Sequence, residues 1–87
     1  MNVVDAYNLL KVDKSKFKID QIATTKSFFV FSIVPKDYDG DKNDYPLIPP
    51  KSVNKNTGEI DIFNLITASD EELDSMVTIY KHTNVRR

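Results

Sequence analysis

Apolar positions are spread unevenly along the chain, and one stretch dominates. Ser27 to Val34 reads Ser-Phe-Phe-Val-Phe-Ser-Ile-Val, the only long apolar run. At a period of two, Phe29, Phe31 and Ile33 share one face, and Phe28, Val30 and Val34 the other. A strand apolar on both faces belongs in the middle of its sheet, covered at least partly on each side. Pro35 ends it, because proline has no amide hydrogen for a ladder. Upstream, Phe17 and Ile19 alternate with Lys18 and Asp20, which predicts a strand over 17–23. Ile22 falls out of that register and signals a bulge near Gln21 or an early strand end. Thr24-Thr25-Lys26 joins the two strands as a hairpin. Downstream, Lys51 to Asn54 is a short strand containing Val53. Lys55-Asn56-Thr57-Gly58 is a tight turn with Gly58 at the left-handed position. Glu59 to Leu65 is the return strand, with Ile60 and Ile62 opposite Asp61, Phe63 and Leu65. Only one face of its early part reads as buried, which puts it near an edge.

Helical spacing appears at both ends. Asn2 can cap a helix near residues 3–11, with Asp5 in capping-box position and Val3, Val4, Tyr7 and Leu10 on one stripe. Such a helix is too short to stand alone and must dock. Ser69-Asp70-Glu71-Glu72 is a second capping box, with Ala68 and Leu73 placed as a hydrophobic staple. Leu73, Met76, Val77 and Tyr80 then predict an apolar helical stripe, with Lys81 and His82 in a last turn that favours cations. Residues 83–87 read as a frayed tail. The expectation is a single α+β domain over 1–87. It is a four-stranded antiparallel meander sheet with a short N-terminal helix and a C-terminal helix packed on one face.

Composition narrows the classes. A chain of 87 residues makes one small domain, marginal in stability or helped by a partner. It has no cysteine, so disulfides and thiolate metal sites are excluded. No run approaches the roughly eighteen apolar residues of a membrane span, and Met1-Asn2-Val3-Val4-Asp5 does not resemble a signal peptide. A cytoplasmic protein with no membrane partner is expected. The net charge of -1 is too neutral for non-specific nucleic-acid binding. Charge is nonetheless clustered. Lys11, Lys14, Lys16 and Lys18 form a basic group, and Asp37, Asp39, Asp41 and Asp44 an acidic one, offset by Lys36 and Lys42.

The acidic group lies in residues 35–50, a long segment with no evident element. Loops of that length in small domains are functional or disordered. Asp37-Tyr38-Asp39-Gly40-Asp41 has the alternating oxygens of a calcium loop, but the sixth and twelfth positions are Lys42 and Ile48 instead of glycine and glutamate. Counting from Asp39 they are Asp44 and Pro50, so calcium binding is not expected. The plainer reading is a solvated acidic loop. The functional reading is a protein-binding surface made of Asp37, Tyr38, Asp39, Asp41, Asp44 and Tyr45. Tyrosines supply contact area at low entropic cost, and aspartates steer a basic partner. Leu47 and Ile48 could tuck the end of the segment onto the core. His82 is the only histidine, which argues against zinc. No nucleophile–base pairing and no glycine-rich phosphate loop can be drawn, so neither catalysis nor a cofactor is expected. The lysine group reads as solvated surface.

From Phe28 to Leu65 the chain carries Phe29-Val30-Phe31-Ser32-Ile33-Val34-Pro35, a polar loop, and Val53-Asn54-Lys55-Asn56-Thr57-Gly58-Glu59-Ile60. This resembles small bacterial immunity proteins of polymorphic-toxin systems, especially the YrhB-like immunity family. There a strand, a variable loop and a valine–lysine–threonine–glycine–glutamate hairpin follow an N-terminal helix. The resemblance covers under half of the chain, and the C-terminal helix and acidic loop depart from it. It implies stoichiometric binding of a toxin without catalysis or cofactor. The expected function is therefore a non-catalytic immunity or inhibitor protein that occludes a basic toxin or nuclease, bacterial or phage-encoded, through residues 36–48. The alternative is a structural or assembly protein, homodimeric or otherwise homo-oligomeric, using an exposed sheet face or edge.

Overall fold

The computed structural model describes residues 1–38, 48–64 and 66–81. The elements are α1 (Val3–Leu10), β1 (Phe17–Thr24), β2 (Phe28–Pro35), β3 (Lys51–Asn54), β4 (Ile60–Ile62), α2 (Asp70–Asp74) and β5 (Val77–Lys81). The strands form one antiparallel sheet in the order β4-β3-β2-β1-β5. The fold is thus α+β, and β2 lies at its centre, as its two apolar faces require.

The first four strands keep the expected meander order. Ile19 pairs with Ile33 and Gln21 with Ser32, so Asp20 is the extra residue of a bulge. That bulge returns Ile22 to the same packing cluster as Phe17 and Ile19. Gly58 adopts φ 75°, and its amide donates to the Asn54 carbonyl at 2.8 Å. The Asn54 side chain accepts from the Asn56 and Thr57 amides at 2.8 and 3.0 Å, which closes the turn locally. Among the described residues the return strand is Ile60–Ile62, paired with β3, and so shorter than the expected 59–65, whose last residue, Leu65, lies outside them. Ile60 and Ile62 are 41% and 55% exposed, not buried, whereas Phe63 is buried.

Two expectations are corrected. Among the described residues the sheet has five strands, not four, because the predicted C-terminal helix ends at Asp74 and Val77–Lys81 pairs with β1. Ser69 caps α2 as the sequence indicates, accepting from the Glu72 amide at 3.2 Å. Ser75 then closes the turn, its amide donating to Glu71 and its hydroxyl to the Glu72 carbonyl at 2.9 Å. Residues 77–80, Val-Thr-Ile-Tyr, are β-branched or aromatic and suit a strand better than a helix. Pairing them with β1 satisfies backbone groups that a four-stranded sheet would leave open along that edge.

The two helices also cover opposite faces rather than one. α1 packs through Ala6, Val3, Tyr7 and Leu10 onto Phe29, Phe31, Ile33 and Val53. Leu73, Met76 and Ala68 pack with Phe63 and Phe28 onto Val30 and Ala23. Phe31, Val34 and Val53 are fully buried. A central strand apolar on both sides needs a cover on each, since uncovered apolar surface forfeits about 25 cal/mol per Å². Among the described residues no helix is long and apolar enough to cross a membrane.

Candidate functional site

The acidic segment grows out of a built root. Pro35 ends β2, and the Tyr38 amide donates back to the Pro35 carbonyl at 3.0 Å, closing a turn. The Lys36 amide donates to the Lys16 carbonyl at 2.8 Å, tying the turn to the entry of β1. The Lys18 ammonium donates to the Tyr38 carbonyl at 2.7 Å. Asp37 is exposed there and Tyr38 is half-buried. Ser15, Lys16, Lys36 and Asp37 line an open depression beside this turn. At the far end of the segment, half-buried Ile48 does tuck back. It lines an apolar groove with Leu10, Val12, Phe17 and Ile33. Of the sequence-predicted site residues, the structure therefore places Asp37 and Tyr38. Asp39, Asp41, Asp44 and Tyr45 lie outside the described residues, as does most of the calcium-like pattern. His82 and the 83–87 tail lie outside them as well.

Lys18 is the residue that sequence reasoning assigned to the wrong role. It belongs to the lysine group read as solvated surface, yet it holds the backbone of the acidic segment twenty residues away. Only its place on a strand that pairs with β2 (Lys18 opposite Val34) puts it within reach.

A second polar construction joins α2 to the β1–β2 hairpin. The Glu72 carboxylate accepts from the Thr25 hydroxyl at 2.6 Å and from the Ser27 amide and hydroxyl at 3.0 Å each. Lys26 is paired with Glu71, and its amide donates to the Ser75 hydroxyl at 2.8 Å. The Thr25 hydroxyl holds the Glu72 carboxyl below its ordinary range; desolvation, the next largest effect, opposes it, and the Ser27 donors and the nearby Lys26 charge add smaller lowering effects. The Lys55 ammonium lies 4.9 Å from the Phe29 ring centre and donates to the Thr25 carbonyl at 2.5 Å. The clamp thus joins α2 to the β1–β2 hairpin through bonds within the chain.

On the α2 face, a cleft of about 460 Å³ runs from β3 and β4 to the start of α2. Phe28, Phe63, Ser52, Asn54, Asp61 and Glu72 are among the residues that line it. Among the described residues, no three His, Cys, Asp or Glu side chains gather so as to hold a metal. Neither a family model, a curated protein nor a solved structure matches the chain.

Proposed function

We infer that the chain is a non-catalytic binding protein of the immunity or inhibitor type, acting by occluding a protein partner through residues 36–48. The observation that carries this reading is the root of the segment. The closed Pro35–Tyr38 turn and the Lys18 bond to Tyr38 fix the start of the segment to the rigid end of the central hairpin. Exposed Asp37 sits on that support, and three further aspartates and Tyr45 follow in sequence. A binding residue held by a sheet gives up less freedom on association than one on a loose loop. The acidic surplus suits a basic partner such as a toxin or nuclease, because complementary charge accelerates encounter.

The test is capture of the partner followed by association and dissociation rates at two salt concentrations. Reversing Asp39 and Asp41 to lysine should slow association, with the effect shrinking as salt rises. Tyr38→Ala or Tyr45→Ala should speed dissociation, by up to about 2 kcal/mol at a hot spot. Unchanged rates in every variant would remove the segment from the interface.

A further inference from the structure

We propose that the cleft between α2 and the β3–β4 hairpin is a binding site for an arginine side chain of another polypeptide. The inference rests on the cleft and not on the acidic segment. Its volume of about 460 Å³ lies within the range of ligand pockets, roughly 300–1,000 Å³. Strand pairing explains what it presents. Phe28 pairs with Asn54, and Ser52 with Asp61, so these four share the α2 face of the sheet. Glu59 and Phe63, two residues to either side of Asp61, fall on the same face, and α2 adds Glu72. Three carboxylates and two aromatic rings therefore line one cleft.

Charge calls for a cation. No Lys, Arg or His is among the described residues that line the cleft. Lys26, whose charge reaches Glu72, is itself paired with Glu71. Lys55 directs its ammonium to the Thr25 carbonyl and the Phe29 ring instead. Asp61 turns one carboxylate oxygen to the Ile62 amide at 2.8 Å, which leaves its second oxygen for a ligand. Glu59 is exposed beside it. Glu72 spends its oxygens on the β1–β2 hairpin and adds only its charge.

The rings select among cations. Phe28 and Phe63 meet edge to face, with centres 6.4 Å apart. Aromatic faces are negative and attract cations. Guanidinium suits them best, because it is planar, weakly hydrated, stacks on rings and grips a carboxylate through two parallel bonds. Ammonium is compact and holds its water more tightly. Ile62 and Ala68 also line the cleft and give the apolar stem of an arginine surface to cover. The edge of the cleft favours a polypeptide as the source. Ile66, between the lining residues Asn64 and Thr67, is 92% exposed. Covering it gains nothing from a free cation, but it stabilises contact with the residues that flank an arginine in a chain.

NMR titration of the full chain with acetyl-Leu-Arg-Leu-amide, to tens of millimolar, tests this; the citrulline peptide is the uncharged isostere. The Glu59, Asp61 and Phe63 amides should shift saturably. The arginine δ-methylene protons should move upfield under the ring current of Phe28. Glu59→Gln and Asp61→Asn should each weaken binding about fivefold with the circular dichroism spectrum unchanged, as loss of a solvent-exposed ion pair allows. The citrulline peptide should not bind. The absence of saturable shifts at these amides would overturn the proposal, as would equal binding of the citrulline peptide. A lysine peptide that binds as tightly would overturn the choice of guanidinium. Spermidine that binds as tightly would overturn the polypeptide source and assign the cleft to a free amine. Reversing Asp39 and Asp41 should leave the titration unchanged. Loss of binding in that variant would overturn the proposal by placing the arginine on the acidic segment, so this inference and the reading of that segment fail separately.

Discussion

Each helix begins on a side-chain oxygen that accepts an amide three residues on: Asn2 from Asp5 at 2.9 Å, Ser69 from Glu72 at 3.2 Å. From there they diverge. α1 runs eight residues and ends on Lys11 in the left-handed conformation, φ 51°. It is held almost wholly by apolar packing, with the Tyr7 ring centre 6.4 Å from that of Phe31. α2 stops after five residues and exposes most of its surface. A carboxylate that grips the neighbouring hairpin adds to its apolar contacts. A capping box therefore says where a helix starts and nothing about its length or what anchors it. Those follow from the surface it meets: a broad apolar sheet face for α1, and for α2 a narrower one beside a turn full of hydroxyl and amide donors.

The comparison can be broken most strongly on the apolar side. Phe31→Ala should cost roughly 3–5 kcal/mol in chemical denaturation, a large share of the stability of a domain this small. A loss under about 1 kcal/mol would contradict the central position of β2. On the polar side, Glu72→Ala should cost about 1–2 kcal/mol, the lower range for bonds to a charged group, because the carboxylate is half-open to water. The clamp should also respond to acid. The Glu72 carboxyl is held below its ordinary 4.5, so its contribution is complete above that value and disappears as pH falls through the lower folded value. Glu72→Gln should remove that part of the acid dependence while leaving the effect of Phe31→Ala unchanged. Ser69→Ala should cost about 1 kcal/mol and accelerate amide exchange at Glu71 and Glu72. If neither changes, the cap is not what starts α2. The smallest effect belongs to Asp39 and Asp41: reversal to lysine should shift stability by no more than a few tenths of a kcal/mol, as measured by the same denaturation.

What could be read from residues was what residues decide among themselves. The bulge shows as Ile22 slipping out of alternation, the Gly58 turn needs only its own backbone, and both caps are four-residue patterns. β5 was hidden because Leu73, Met76, Val77 and Tyr80 satisfy helical spacing as well as strand composition. Leu73 and Met76 do reach the core, while Val77 and Tyr80 are mostly exposed at the sheet edge. The tie is broken by the outer edge of β1, some fifty residues earlier, which no local window contains. The opposite placement of the helices follows from Phe28 and Val30 lying back to back with Phe29 and Phe31. Of the acidic segment, composition conveyed charge and tyrosines. It did not convey the support under Tyr38, because Lys18 reaches that carbonyl only once β1 and β2 are paired.

The distance along the chain between β1 and β5 has a consequence for synthesis. Gln21 and Thr78, which share a side-chain hydrogen bond across the two strands, are 57 residues apart. At about 5–20 residues per second, a ribosome needs roughly 3–11 seconds to travel between them. Once β2 has followed β1 out, the β1–β2 hairpin can form, but the outer edge of β1 still has no strand to receive. It waits with its bulge at Asp20, an irregularity that spoils templating by a stray strand until the native one emerges from the exit tunnel.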